Sequence, residues 1–145
     1  AFDLAQRFTG TSEGAGIAQN PQIMAMLRLD NSWPGEDEVA WCSAFTNYIC
    51  WLLRLPRTKS LRARSWLTIG QAVNLLQAEV GFDIVVLRRG TNSPGPEVIE
   101  APGHVGFFAG LSGTDSILVL GGNQSNTVNV TAFKTDQLLG IRRIT

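Results

Sequence analysis

Three side chains are candidates for nucleophilic chemistry: the cysteines Cys42 and Cys50 and the single histidine, His104. A cysteine attacks as thiolate, so a reactive one needs surroundings that pull its pKa below about 8.5. From Trp41 the apolar residues Phe45, Tyr48, Ile49, Leu52 and Leu53 recur at helical spacing as far as Pro56. That pattern predicts a helix with Cys42 in its first turn, where unpaired backbone N–H groups and the helix dipole favour negative charge. Cys50 falls mid-helix, where neither effect operates and a thiol packs as a small apolar group. On one helix the two sulfurs are separated by a rise of about 12 Å. Bridged Cα atoms lie within roughly 7 Å of each other, so no disulfide between them is expected. On spacing alone, an inert buried thiol competes with the reactive reading of Cys42.

His104 supplies the only side chain whose unperturbed pKa lies near neutrality, and it stands where a loop enters a predicted strand. Gly113-Thr114 suits the centre of a two-residue hairpin turn. In that register His104 faces Asn123 on the next strand, with Cβ atoms about 5 Å apart. A carboxamide there would orient the imidazole, which would take the thiol proton, giving nucleophile, base and orienter. A turn residue in "GGNQSN" is the competing reading of Asn123.

Positioning these groups requires helices before strands. "FDLAQRF" is a short amphipathic turn, and "NPQIMAMLRL" is a helix with Asn20 as cap and Pro21 in its first position. "DNSWPGEDE" is a loop by composition. "ARSWLTIGQAVNLLQAE" is a mixed helical region interrupted at Gly70. Short strands are then predicted at 83–89, 104–110, 116–122, 127–133 and 138–144, with a surface loop over 90–103. The fold class is α+β, with N-terminal helices packed on an antiparallel sheet of about five strands. The 145 residues suit one domain spanning 1–145.

The segments "WCSAFTNY", "ARSWL", "DIVVLRRG", "GHVGFF" and "LVLGGNQSNTVNV" resemble the CHAP and NlpC/P60 group of cysteine peptidoglycan hydrolases, whose domain is papain-like. The likeness is strongest to a small CHAP-like branch found in phage lysins and bacterial wall hydrolases, and it runs through nearly the whole chain. It implies Cys42 as nucleophile, His104 as base and Asn123 as third member. It further implies a peptidoglycan amidase or endopeptidase with no cofactor. Many CHAP domains carry a glutamate two residues before that asparagine, where this chain has Gly121. The branch also has Pro-Gly ahead of the "DIVV" strand, where this chain reads "GFDIVV".

Other features place expectations around that core. Trp41, Glu13, Gln124 and Trp66 are expected along the substrate cleft, although Trp41 and Trp66 also suit a core. The balanced 12 basic and 12 acidic residues argue against a nucleic-acid partner. No apolar run reaches the roughly 20 residues that insertion across a bilayer needs. One histidine and two cysteines do not make a zinc site, so no metal is expected. "GTSEG" has the nucleophile-elbow spacing without the preceding apolar strand. "RLPRTKSLRAR" is a solvated connection, or a rim attracting carboxylates. A monomer acting on the bacterial wall is expected. Because no basic and apolar leader opens the chain, phage-encoded lysis or another route of delivery is the expected setting. A wall-binding module of the same fold and a cysteine acyltransferase are the alternatives.

Overall fold

The computed structural model describes residues 1–14, 20–30, 41–90 and 92–145; nearly all of the loop expected over 30–38 lies outside them. Helices α1 (Phe2–Gln6), α2 (Pro21–Arg28) and α3 (Cys42–Leu52) precede strands β1 (Gln71–Val73), β2 (Asp83–Arg88), β3 (Gly103–Ser112), β4 (Ser116–Gln124), β5 (Thr127–Lys134) and β6 (Leu138–Arg143). The strands form one antiparallel sheet in the order β1-β6-β2-β3-β4-β5. The architecture is α+β, as the change of hydrophobic period implies.

Strand β2 reads as a continuous apolar run because both of its faces are covered. Alternate residues point to opposite sides. Ile84 and Val86 join Trp41, Phe45, Ile49, Val105, Phe107 and Leu120 in a core on the α3 side. Val85 and Leu87 join Phe108, Ile117, Val119 and Ile141 on the reverse face. Helix α2 begins as its sequence dictates: the Asn20 Oδ1 accepts from the backbone N–H of Gln22 (2.8 Å) and Ile23 (3.3 Å), with Pro21 at the first position.

Helix α3 also carries buried polar groups, and these tie it to the segment that follows. Ser43 Oγ donates to the Ser60 carbonyl (2.6 Å) and accepts from Trp66 Nε1 (2.9 Å). Asn47 Nδ2 donates to the Ser60 carbonyl (3.0 Å), and its Oδ1 accepts from the Lys59 backbone (3.0 Å). The blocks "WCSAFTN" and "ARSWL" are thereby joined through hydrogen bonds, each member of which would be costly to leave unpaired in the interior.

Two expectations are corrected. Residues 63–79 are not a mixed helical region: a 3-10 helix covers Ala63–Thr68, β1 follows, and one 3-10 turn covers Leu75–Gln77. Gly70 adopts φ +72° and redirects the chain so that Gln71–Val73 pairs with the edge of β6, adding a sixth strand to the sheet of about five that was expected. The β3–β4 hairpin closes with Ser112 opposite Ser116, a loop one residue longer than the expected two-residue turn. A bulge between Phe108 and Gly110 absorbs the extra residue, so Phe107 still faces Leu120. The register next to His104 is therefore the one the sequence implied, reached by a different route.

Candidate active site

Cys42 is the first residue of α3 and 3% exposed, and the His104 side chain on β3 is near enough to act on its thiol. Burial pushes the thiol pKa up. A hydrogen bond to the His104 side chain, the charge of that ring, a backbone hydrogen bond from Val105 and the charge of Arg89 outweigh burial and hold it below its ordinary value. Cys50 has the opposite environment: burial pushes its thiol up to about 12. Both cysteines are free thiols. One helix thus carries one sulfur disposed to ionise and one that is not.

The tautomer of His104 follows from its partners. Gln124 Nε2 donates to the carbonyls of Val119 (3.1 Å) and Asn129 (2.8 Å), which fixes the amide so that Oε1 faces the ring at 2.9 Å from Nε2. An amide oxygen only accepts, so Nε2 carries the proton. Nδ1 is left with the lone pair, toward which Arg89 Nη2 points at 3.2 Å. Asn129 steadies the amide in turn: its Nδ2 donates to the Gln124 carbonyl (2.8 Å), and its Oδ1 accepts from Thr131 Oγ1 (2.6 Å). The Phe133 ring lies 5.4 Å from the imidazole, tilted by 30°.

The carboxamide on the ring is thus that of Gln124, one residue beyond the expected Asn123. The cause is a bulge. β4–β5 pairing shifts between Gly121 and Gln124, and Asn123 takes φ +58°. A one-residue slip exchanges the faces of a strand, so Gln124 points toward His104, while Asn123 lines the adjoining cleft. The two glycines before the bulge make room for this. A Cβ on Gly121 would sit 2.7 Å from Gln124 Oε1, and one on Gly122 would sit 2.6 Å from the Trp41 ring and 2.8 Å from the Phe45 Cβ. The absence of a glutamate at 121 is the condition for Gln124 to reach the ring, and the bare backbone at 122 lets the front of α3 approach β4.

The remaining cleft expectations divide. Trp41 and Trp66 are both fully buried and belong to the core; their indole N–H groups are bonded inward, to Glu13 Oε1 (2.8 Å) and Ser43 Oγ (2.9 Å). Glu13 fixes the tryptophan that immediately precedes Cys42, and its backbone N–H donates to the Asn126 carbonyl (3.0 Å). Beside His104 lies a cleft of about 320 Å³ lined by Arg88, Arg89, Asn123, Gln124, Phe133 and others. Arg88 and Arg89 were not among the site residues that the sequence suggested. Neither was Arg64, which is fully buried. Its guanidinium donates to the carbonyls of Pro94 (3.0 Å), Gly95 (2.6 Å), Val98 (3.2 Å) and Pro102 (3.0 Å) and to Ser93 Oγ (2.7 Å). It pins the loop that delivers His104. Among the described residues no cluster of His, Cys, Asp and Glu is arranged to hold a metal, and no helix is long and apolar enough to cross a membrane.

No family model and no curated protein matches the sequence. Among solved structures, NlpC1 from Trichomonas vaginalis is similar, with a TM-score of 0.59 and 17% identity over 99% of this chain and 43% of that one. At that identity the likeness is one of fold, the NlpC/P60 fold. The chain spans less than half the length of that neighbour.

Proposed function

We propose that the chain is a cysteine amidohydrolase of the CHAP and NlpC/P60 kind that cleaves an amide bond of peptidoglycan. One observation carries the reading: a thiol at the front of a helix has its pKa held down by an imidazole whose basic nitrogen is defined by a fixed carboxamide. The NlpC/P60 fold supports the choice of chemistry.

In this mechanism the Arg89 Nη2 hydrogen bond to His104 Nδ1 gives way, Nδ1 takes the Cys42 proton, and the sulfur attacks the amide carbonyl carbon. The backbone N–H of Cys42, at the positive end of α3, stabilises the oxyanion. The C–N bond breaks as the imidazolium returns its proton to the leaving amine, which leaves a thioester. Nδ1 then deprotonates water, which releases the carboxylic acid and the free thiol. Throughout, Gln124 Oε1 accepts the hydrogen bond that Nε2–H donates and holds the ring plane.

Purified wall incubated with the protein should release fragments ending in new free amines and carboxylates, and their masses identify the bond cut. Binding to the wall without release would favour a non-catalytic module, and new amide links in place of free amines would favour acyl transfer. Within the site, Gln124→Ala should lower kcat by roughly 10²-fold or more, since oriented acid–base catalysis contributes about 10²–10⁴-fold. Asn123→Ala should cost much less. The reverse order in steady-state kinetics would restore Asn123 as the orienting residue.

A further inference from the structure

Resting on the amidohydrolase reading, we infer that the cleft beside His104 is a carboxylate-binding subsite, formed by Arg88 and Arg89, that selects substrates with a free carboxylate close to the scissile amide. The cleft lining, among the described residues, holds two arginines and neither Asp nor Glu. Among the described residues neither arginine takes part in an ion pair. Arg88 Nε is buried without a hydrogen-bond partner, an arrangement that leaves a donor for a ligand to satisfy. Arg89 is held by two bonds, Nε to the Gly103 carbonyl (2.9 Å) and Nη2 to His104 Nδ1 (3.2 Å). Its guanidinium is therefore fixed at the edge of the reacting pair, and its charge is felt at the Cys42 sulfur.

Two guanidinium groups in a partly enclosed cleft repel one another unless an anion lies between them. A carboxylate suits them because it accepts two parallel N–H bonds from a planar fork. Phe133, Asn123, Ser125, Thr131 and Gln137 also line the cleft, giving an apolar wall and neutral polar groups for an amino-acid residue bearing that carboxylate. A peptide amide next to a free α- or side-chain carboxylate is thus favoured, and the same peptide capped as a carboxamide is disfavoured.

The test compares alkylation of Cys42 by iodoacetate, which is anionic, and by iodoacetamide, which is neutral, with the labelled residue located by mass spectrometry. The ratio of the two rates cancels any change in thiolate fraction, so it reads the preference for a negative charge in the reagent that reaches Cys42. Changing both residues, Arg88→Gln with Arg89→Gln, should lower the ratio about tenfold, the effect of about 1.4 kcal/mol. Arg88→Lys with Arg89→Lys should keep only part of the preference, because an ammonium supplies the charge without the planar fork. An unchanged ratio in the glutamine variant, with Cys42 still labelled by iodoacetamide, overturns the subsite and leaves the nucleophile standing. No labelling of Cys42 by either reagent overturns both. A protein that labels with the expected ratio yet cleaves no wall amide supports the subsite and separates it from the choice of polymer.

Discussion

Cys42→Ala should reduce amide cleavage by roughly 10⁴-fold or more, because removal of the nucleophile from a triad costs about that much even where binding and the oxyanion site survive. Cys50→Ala should leave turnover within about threefold, since a free thiol held protonated in a core acts as packing. The contrast is sharp because the two sulfurs share one helix, and both are buried. Position along the helix and neighbours separate them. Cys42 has the helix front, the imidazole, the Val105 backbone and the Arg89 charge; burial dominates at Cys50. His104→Ala should resemble Cys42→Ala in activity while leaving the thiol in place. Single-turnover assays that find Cys50→Ala inactive and Cys42→Ala active would move the nucleophile.

Arg64→Met should destabilise the fold by roughly 3–5 kcal/mol, because several acceptors lose their donor together and each buried unsatisfied group costs about 1–3 kcal/mol. For a chain of this length that corresponds to a fall in Tm of about 10 °C. Methionine keeps the unbranched stem, so little packing is lost and the effect isolates the guanidinium. Four carbonyls and one hydroxyl from the 93–102 loop would lose their donor together, and unpaired interior acceptors are expensive. Arg64→Lys should recover only part of this stability, because an ammonium cannot reach partners arranged for a planar fork. The loop runs into Gly103 and His104, so activity should fall with stability in thermal and kinetic assays of the same samples. A change in Tm of less than about 2 °C for Arg64→Met would mean that the loop does not depend on this side chain.

The elements that the sequence made readable are those with a local period. α3 begins at Cys42 and ends where Leu52 and Leu53 approach Pro56, and β2 to β6 follow the short apolar runs separated by turn residues. The pairing beside His104, Phe107 opposite Leu120, agrees with the expected register only because a bulge between Phe108 and Gly110 offsets a turn one residue longer than expected. Long-range events escaped. Nothing local announces the bulge at Asn123, whose positive φ sends Gln124 to the imidazole. Only the adjacent glycines hint at it, by clearing space that a side chain would fill. β1 is three residues long and exists because β6 offers an edge, so its own sequence carries little signal. Arg64 sat in a basic stretch and read as solvated, since its five acceptors come from a loop some thirty residues away. Trp41 beside Cys42 suggested a cleft wall, but the close approach at Gly122 and the carboxylate of Glu13 place its ring in the core.

One measurement bears most directly on the sulfur–imidazole pair: the rate of Cys42 alkylation by iodoacetamide as a function of pH, in the wild-type protein and in His104→Ala. A lowered folded-state pKa means that the thiolate persists to lower pH, so the wild-type midpoint should lie below the roughly 8.5 of a free thiol. With the ring gone, burial is opposed only by the weaker influences of Val105 and Arg89, and the midpoint should rise. A wild-type midpoint at or above that of free cysteine, unmoved by His104→Ala, would contradict the pairing and with it the assignment of Cys42 as nucleophile.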